Sequence, residues 1–360
     1  MANNNFDLAS LALQCALPGN ELLYDDKGMP SVMVKIPKRT YAELGLGTST
    51  ATFPAFIVDG VEKDAIWISK YQNIIQNGRA YSLPGKDPAV SLDFDTALAA
   101  CTAKGSGWHL MTKVEWAAIA WLCYKSGTMP RGNNDYGKDH NESGYIAIPS
   151  CAKDSNGKIQ RIATGTGPDS WSHDGTRKGI FDLNGNVWEW VGGVRTVKGE
   201  VQLLANNNAA DSANSQGASS AQWKAIRASD GALITPNGSG TTSGSVKMDF
   251  ISSKCCYSTS ITDSSRGGHG CYFGDVYCGS GISDAAKLLL ASIGMVKYGS
   301  ETVAQLGNDY FYFNNAEDER CFLCGGGWNS GANAGVFYSS GYNPRSDVGA
   351  NIGFRSAYYE

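Results

Sequence analysis

The sequence predicts an α+β fold with long irregular connections, and three observations carry that reading. Glycine supplies 44 of 360 residues, well above the usual ~7%, which calls for many turns and argues against a helical bundle. Two segments close together, Ser91 to Lys104 and Thr112 to Ser126, have the apolar spacing of helices. Short runs rich in β-formers recur on both sides of them, most densely near the C-terminus.

Residues 1–30 read as an N-terminal arm: an Asn-rich start, an apolar stretch from Leu11 to Leu17, and the turn-prone Asp25-Asp26-Lys27-Gly28. No Lys or Arg precedes the apolar stretch, so the pattern is not that of a secretory signal. Val32 to Pro37 alternates like a half-buried strand, and Ala65 to Tyr71 is a second strand. The first helix carries Asp93 and Asp95 at its positive end and stops at Gly105. The second opens with the capping box Thr112-Lys113-Val114-Glu115 and ends at Gly127 with Pro130 beyond. Arg131 to Gly179 reads as ordered loops. Ala205 to Ala221 and Thr235 to Ser245 are too polar to form a core of their own. Asp284 to Ile293 predicts a short helix with Ala285, Leu288 and Leu289 inward, and Tyr310 to Phe313 a strand feeding a C-terminal sheet.

Composition excludes several functions. A net charge of -4 without a basic cluster argues against a nucleic-acid surface. No run approaches ~18 consecutive apolar residues, which argues against membrane insertion. Of the ten cysteines, Cys321 and Cys324 alone have paired metal-ligand spacing, so thiols with at most one disulfide are expected rather than a zinc site. The four histidines lack ligand or triad spacing.

Near the C-terminus, Tyr338 to Ala350 is built almost wholly from Tyr, Ser, Gly, Asn and Asp between two strand signals, Val336-Phe337 and Ile352 to Phe354. Paratopes use this composition, because Tyr gives contact area with few rotors to freeze and the small polar residues adapt their hydrogen bonds. An ordinary Gly-rich surface loop has the same composition.

Two resemblances bear on these alternatives. Gly179 to Val191, with Gly185-Asn186-Val187-Trp188-Glu189-Trp190 at its heart, resembles the signature of the formylglycine-generating enzyme (sulfatase-modifying factor) superfamily. Val34, Ile36-Pro37, Ile68-Ser69-Lys70-Tyr71, Trp108 to Thr112, Glu115-Trp116 and Gly353-Phe354-Arg355 follow in that family's order. The resemblance implies one C-type lectin-like domain over 31–360, with insertions at about 196–290 where it fades. It also implies a calcium loop at Asp182, Gly185, Val187 and Glu189, of the oxygen-ligand kind calcium favours. The alternative for that loop is a Glu189 that accepts backbone hydrogen bonds between core tryptophans. The family's copper-dependent oxidation uses a cysteine pair, and the corresponding positions here hold Phe337 and Tyr342, which offer no thiolate. No catalytic residue is therefore expected.

The second resemblance covers about 325–356. Gly325-Gly326-Gly327-Trp328, Asn329 to Phe337, Pro344-Arg345-Ser346 and Asn351 to Ala357 are similar to the variable region of diversity-generating retroelement target proteins. In that family a reverse transcriptase corrupts template adenines, and Ser330, Tyr338, Ser340, Tyr342, Asn343, Asp347 and Gly349 are all reachable from an Asn codon by adenine changes. The resemblance implies a ligand-binding surface at Asn329, Ser330, Asn333, Tyr338, Ser340, Tyr342, Asn343, Asp347 and Gly349. It implies display on a virion or cell surface, a protein or glycan receptor as partner, and compatibility with a homo-oligomer. An oxidase of the enzyme family and an undiversified phage structural or adhesion protein stand as the alternatives.

Overall fold

The computed structural model describes residues 7–144 and 146–360, so Met1 to Phe6 of the expected arm lie outside the described residues. Two sheets organise the described chain. The smaller has the order Asn20–Tyr24, Pro30–Pro37, Ala65–Ser69, Ser356–Tyr358, Trp108–Leu110, so the C-terminal strand is clamped between two early ones. This corrects the boundary at residue 30: Asn20–Tyr24 pairs along its length with Pro30–Pro37, and its Leu22 and Leu23 pack against core clusters on opposite faces of the sheet. The helix Leu8–Ala16 has no buried residue but lies against the sheet, with Leu13 half-buried on a core cluster and its Asp7 cap bonded to the Tyr24 hydroxyl.

The larger sheet has twelve strands among the described residues, and its ordered path runs Gly268–Tyr272, Tyr310–Asn314, Gly335–Gly341, Arg320–Gly325, Trp188–Val197, Glu200–Leu203 and onward. The region expected as insertions therefore widens this sheet. Its Ser- and Gly-rich pieces form turns, while Trp223 packs with Leu204 and Ala209 in a small cluster.

Helix Phe94–Thr102 is capped by Asp93, and helix Lys113–Ser126 has the expected Thr112/Glu115 capping box and a left-handed Gly127. The second helix is buried against the inner face of the large sheet. Trp116 donates its indole N–H to the Val336 carbonyl at 2.7 Å, and Lys113 Nζ donates to Ser339 Oγ at 2.8 Å. Helix Asp284–Ser292 packs beside it through Ala286, Leu290 and Ala291. Leu288 and Leu289 pack half-buried against the core as expected, while Ala285 is exposed and Ala286 takes the inward place.

Candidate functional site

Strand Gly335–Gly341 builds the site by alternation. Side chains on a strand point to opposite faces in turn. Phe337 and Ser339 go inward: Phe337 stacks on Phe273 at 4.9 Å and meets Trp121 edge-on at 4.9 Å. Tyr338, Ser340 and Tyr342 go outward. The neighbouring strand repeats the pattern, since Phe311 and Phe313 are fully buried while Tyr310 and Tyr312 are partly exposed on the outer face.

The outward rings form one continuous row. Trp188 contacts Tyr338 at 4.5 Å, Tyr338 contacts Tyr310 at 6.1 Å, and Tyr310 contacts Tyr272 at 5.8 Å, all edge-to-face. Tyr342 extends it sideways over Tyr312 at 5.3 Å. Glycines make room for these rings. A Cβ at Gly270 would lie 2.5 Å from the Tyr310 ring, and one at Gly268 the same distance from the Tyr312 hydroxyl. Burial pushes the Tyr338 phenol up to about 12, so its hydroxyl remains a donor at neutral pH.

At the far end of the row, Asn329 and Trp188 flank Gly327, and Asn351 closes the same corner. The loop that follows Tyr342 is held from behind. Arg345 pairs with Glu319 at 3.1 Å and Asp95 at 2.7 Å and lies over the Phe94 ring, while the Arg345 and Gly349 carbonyls accept from Phe94 and Ser91 N–H groups. These anchors leave Ser346 and Val348 pointing into solvent.

The expected ligand positions are therefore not equivalent. Asn329 and Tyr342 are exposed and Tyr338 is half-buried within the ring row. Asn343 and Asp347 are half-buried and hydrogen-bonded to each other. Ser330 accepts from the Gly327 N–H at 3.0 Å, a turn contact, and Asn333 closes the short helix Gly331–Asn333 half-buried. Ser340 is a correction: it is 6% exposed, because a small side chain set between Leu323 and Tyr312 on the flanking strands is overtopped by them. Gly349 is half-buried, and a side chain there would have to displace the Asn351 amide, 2.9 Å from its Cβ. Sequence reasoning misses Trp188, Tyr272, Tyr310 and Tyr312. The Tyr-Phe-Tyr-Phe alternation at 310–313 is the available signal for two of them.

The four calcium candidates do converge, but around the chain's own donors. Gln72 Nε2 lies 3.1 Å from the Asp182 carbonyl, 3.5 Å from that of Gly185, 2.9 Å from that of Val187 and 3.0 Å from Glu189 Oε1. Arg355, fully buried, takes both Glu189 oxygens at 2.6 and 2.5 Å. The Asp182 carboxylate turns away to accept from Gly165 N–H, its other oxygen has no partner, and burial pushes its pKa up to about 6. As arranged, these residues do not fit a calcium ion: the one carboxylate in the ring is already neutralised by a guanidinium. Among the described residues no group of three or more His, Cys, Asp or Glu is placed to hold a metal. Cys321 and Cys324 lie in different core clusters, and burial raises both thiols above their usual range. All ten cysteines are free thiols.

Residues 42–237, more than half of the chain, match the sulfatase-modifying factor enzyme 1-like domain. The chain belongs to that family. The sulfatase-modifying-factor match spans both helices, the Trp188 signature and the start of the region where the motifs fade. No curated protein matches the chain. Among solved structures the chain is similar to PvdO from Pseudomonas aeruginosa, at 14% identity and a TM-score of 0.36 over 95% of this chain and 99% of that one. It is also similar to Treponema denticola variable protein 1, at 12% and 0.33 over 95% and 100%. The U1 variant of the Major Tropism Determinant matches at 12% and 0.32 over 94% and 71%. No helix among the described residues is long and apolar enough to cross a membrane.

Proposed function

We propose that this family member is a non-catalytic ligand-binding display protein whose outer C-terminal face is rewritten by a diversity-generating retroelement. The observation that supports it is the division of labour along strand Gly335–Gly341 and its loop. Tyr338 and Tyr342, both reachable from an Asn codon by adenine changes, face outward, while Phe337 and Ser339, whatever their codons allow, are locked to helix Lys113–Ser126 and its neighbours. Val348 and Ser346, both displayed, are reachable in the same way. The face offers rings, hydroxyls and amides without a free basic side chain in the row. Such a face suits a protein or glycan receptor better than an anionic ligand. Tyr272, Tyr310 and Tyr312 lie outside the diversified segment, so one part of the contact surface is constant and the other changes. Display on a virion or cell surface follows from this reading, and no step of it uses a cofactor.

Sequencing the gene's neighbourhood tests the reading. It expects a nearby template copy of about 325–356 with adenines at the codons for Asn329, Tyr338, Tyr342 and Val348, a reverse transcriptase gene, and sibling alleles differing there. A locus without either element, and siblings varying evenly along the chain, would leave an undiversified structural protein instead.

A further inference from the structure

The ring around Gln72 carries an inference independent of the display reading. Its orientation is fixed by a chain of hydrogen bonds that begins at an unambiguous donor. The Ile162 backbone N–H donates to Asn186 Oδ1 at 2.9 Å, which turns the Asn186 amide N–H2 toward Gln72 Oε1 at 2.9 Å. Gln72 Nε2 must then face the three carbonyls and the Glu189 carboxylate. A flipped amide would set oxygen against four oxygens and lose the Asn186 bond. Arg355 completes the cage, donating to the carbonyls of Phe181 at 3.1 Å, Asp182 at 3.3 Å and Ser69 at 3.1 Å besides Glu189.

Four oxygen acceptors pointing at one buried spot repel each other unless something positive or N–H-bearing sits there. Here the amide supplies hydrogens and the guanidinium supplies charge, so the buried set sums to zero. Adding a divalent ion would put two further positive charges beside Arg355, where the Glu189 carboxylate is already bound to that guanidinium and the Asp182 carboxylate is turned away toward Gly165 N–H.

We infer that Gln72 and Arg355 take the place of a cation in this cage, and that residue 72 decides whether the fold depends on metal. The cage closes the loop that leads into strand Trp188–Val197 and so fixes Trp188 at the end of the ring row. The display face is therefore set without divalent metal. Gln72→Glu exchanges the N–H donor for a second carboxylate, which turns the same oxygens into a calcium-type ligand set.

The experiment compares thermal melts of the full chain and Q72E in excess EDTA and in excess Ca2+, with calorimetric titration of Ca2+ into each. The wild-type chain is expected to melt at one temperature in both buffers and to bind no stoichiometric calcium. Q72E is expected to melt lower in EDTA and to rise by roughly 3–5 °C at a hundredfold excess of calcium over its Kd. A single calcium site on the wild-type chain, or a wild-type melt lowered by EDTA, overturns the inference. So does a folded Q72E that ignores calcium. If Q72E fails to fold in either buffer, the wild-type titration decides alone: stoichiometric calcium overturns the inference and its absence upholds it.

Discussion

Two aromatic residues, Phe337 on strand Gly335–Gly341 and Tyr342 just past its end, should differ several-fold in what they contribute to stability, and Phe337→Ala against Tyr342→Ala measures it. Phe337 is 1% exposed and touches two other rings, stacked on Phe273 and edge-on to Trp121, each at 4.9 Å. Truncating a buried Phe loses the transfer free energy and leaves a cavity, ~3–5 kcal/mol together. The helix behind it is already pinned at Trp116 and Lys113 and cannot collapse into the gap, which favours the upper half of that range. Tyr342 is 43% exposed and keeps one ring neighbour, Tyr312 at 5.3 Å, so its loss should fall near a single ring pair, ~0.5–1.5 kcal/mol. The assay is urea unfolding followed by tryptophan fluorescence and far-UV circular dichroism, with coincident transitions required before free energies are compared. Equal losses, or a Tyr342→Ala cost above ~3 kcal/mol, would refute the division of this strand into a fixed and a displayed face.

Three further outcomes are expected. Glu189→Gln leaves Arg355 buried without its carboxylate and should lower stability by ~3–5 kcal/mol in thermal or urea unfolding, with a substantial part recovered when Arg355→Met is added. Asp182 titrates near about 6 when folded against ~3.9 unfolded, so the folded chain holds its proton more tightly. That contribution is full below pH ~4 and is lost as pH rises through about 6, at most ~3 kcal/mol; D182N should flatten this part of a stability-versus-pH curve, and an unchanged slope would assign it elsewhere. Tyr310→Ala removes a constant ring from the row while touching no codon-variable position, so it should weaken binding of whatever receptor a given allele selects, by roughly five- to thirtyfold in a surface-binding assay.

Much of the frame is legible in the sequence because it rests on local rules. The capping box at Thr112, the Gly127 stop and the alternating strand at Val32 to Pro37 each follow from a few adjacent residues, whereas at the C-terminus only Val336-Phe337 reads as strand and the structure extends it to Gly341. Arg345, part of the Pro344-Arg345-Ser346 element of the resemblance, is tied down by its ion pairs with Glu319 and Asp95. The features that sequence does not reveal depend on partners distant along the chain. Ser340 is hidden by Leu323 and Tyr312 on flanking strands, which composition does not reveal. The polar region after residue 200 has no stretch that can form a core alone, yet its strands gain one by joining the existing sheet. Spacing gathers the four calcium candidates correctly, but Gln72 lies more than a hundred positions upstream of Asp182 and fills their centre.

Outward side chains on this face should be exchangeable while the frame behind them stays folded, and the whole display reading depends on it. A library randomised with Asn-derived adenine codons at Asn329, Tyr338, Tyr342, Ser346 and Val348, sorted for protease resistance beside an equally diverse library at Val336, Phe337 and Ser339, measures this directly. Most clones of the first should survive and few of the second; survival as poor in the first as in the second would contradict the reading.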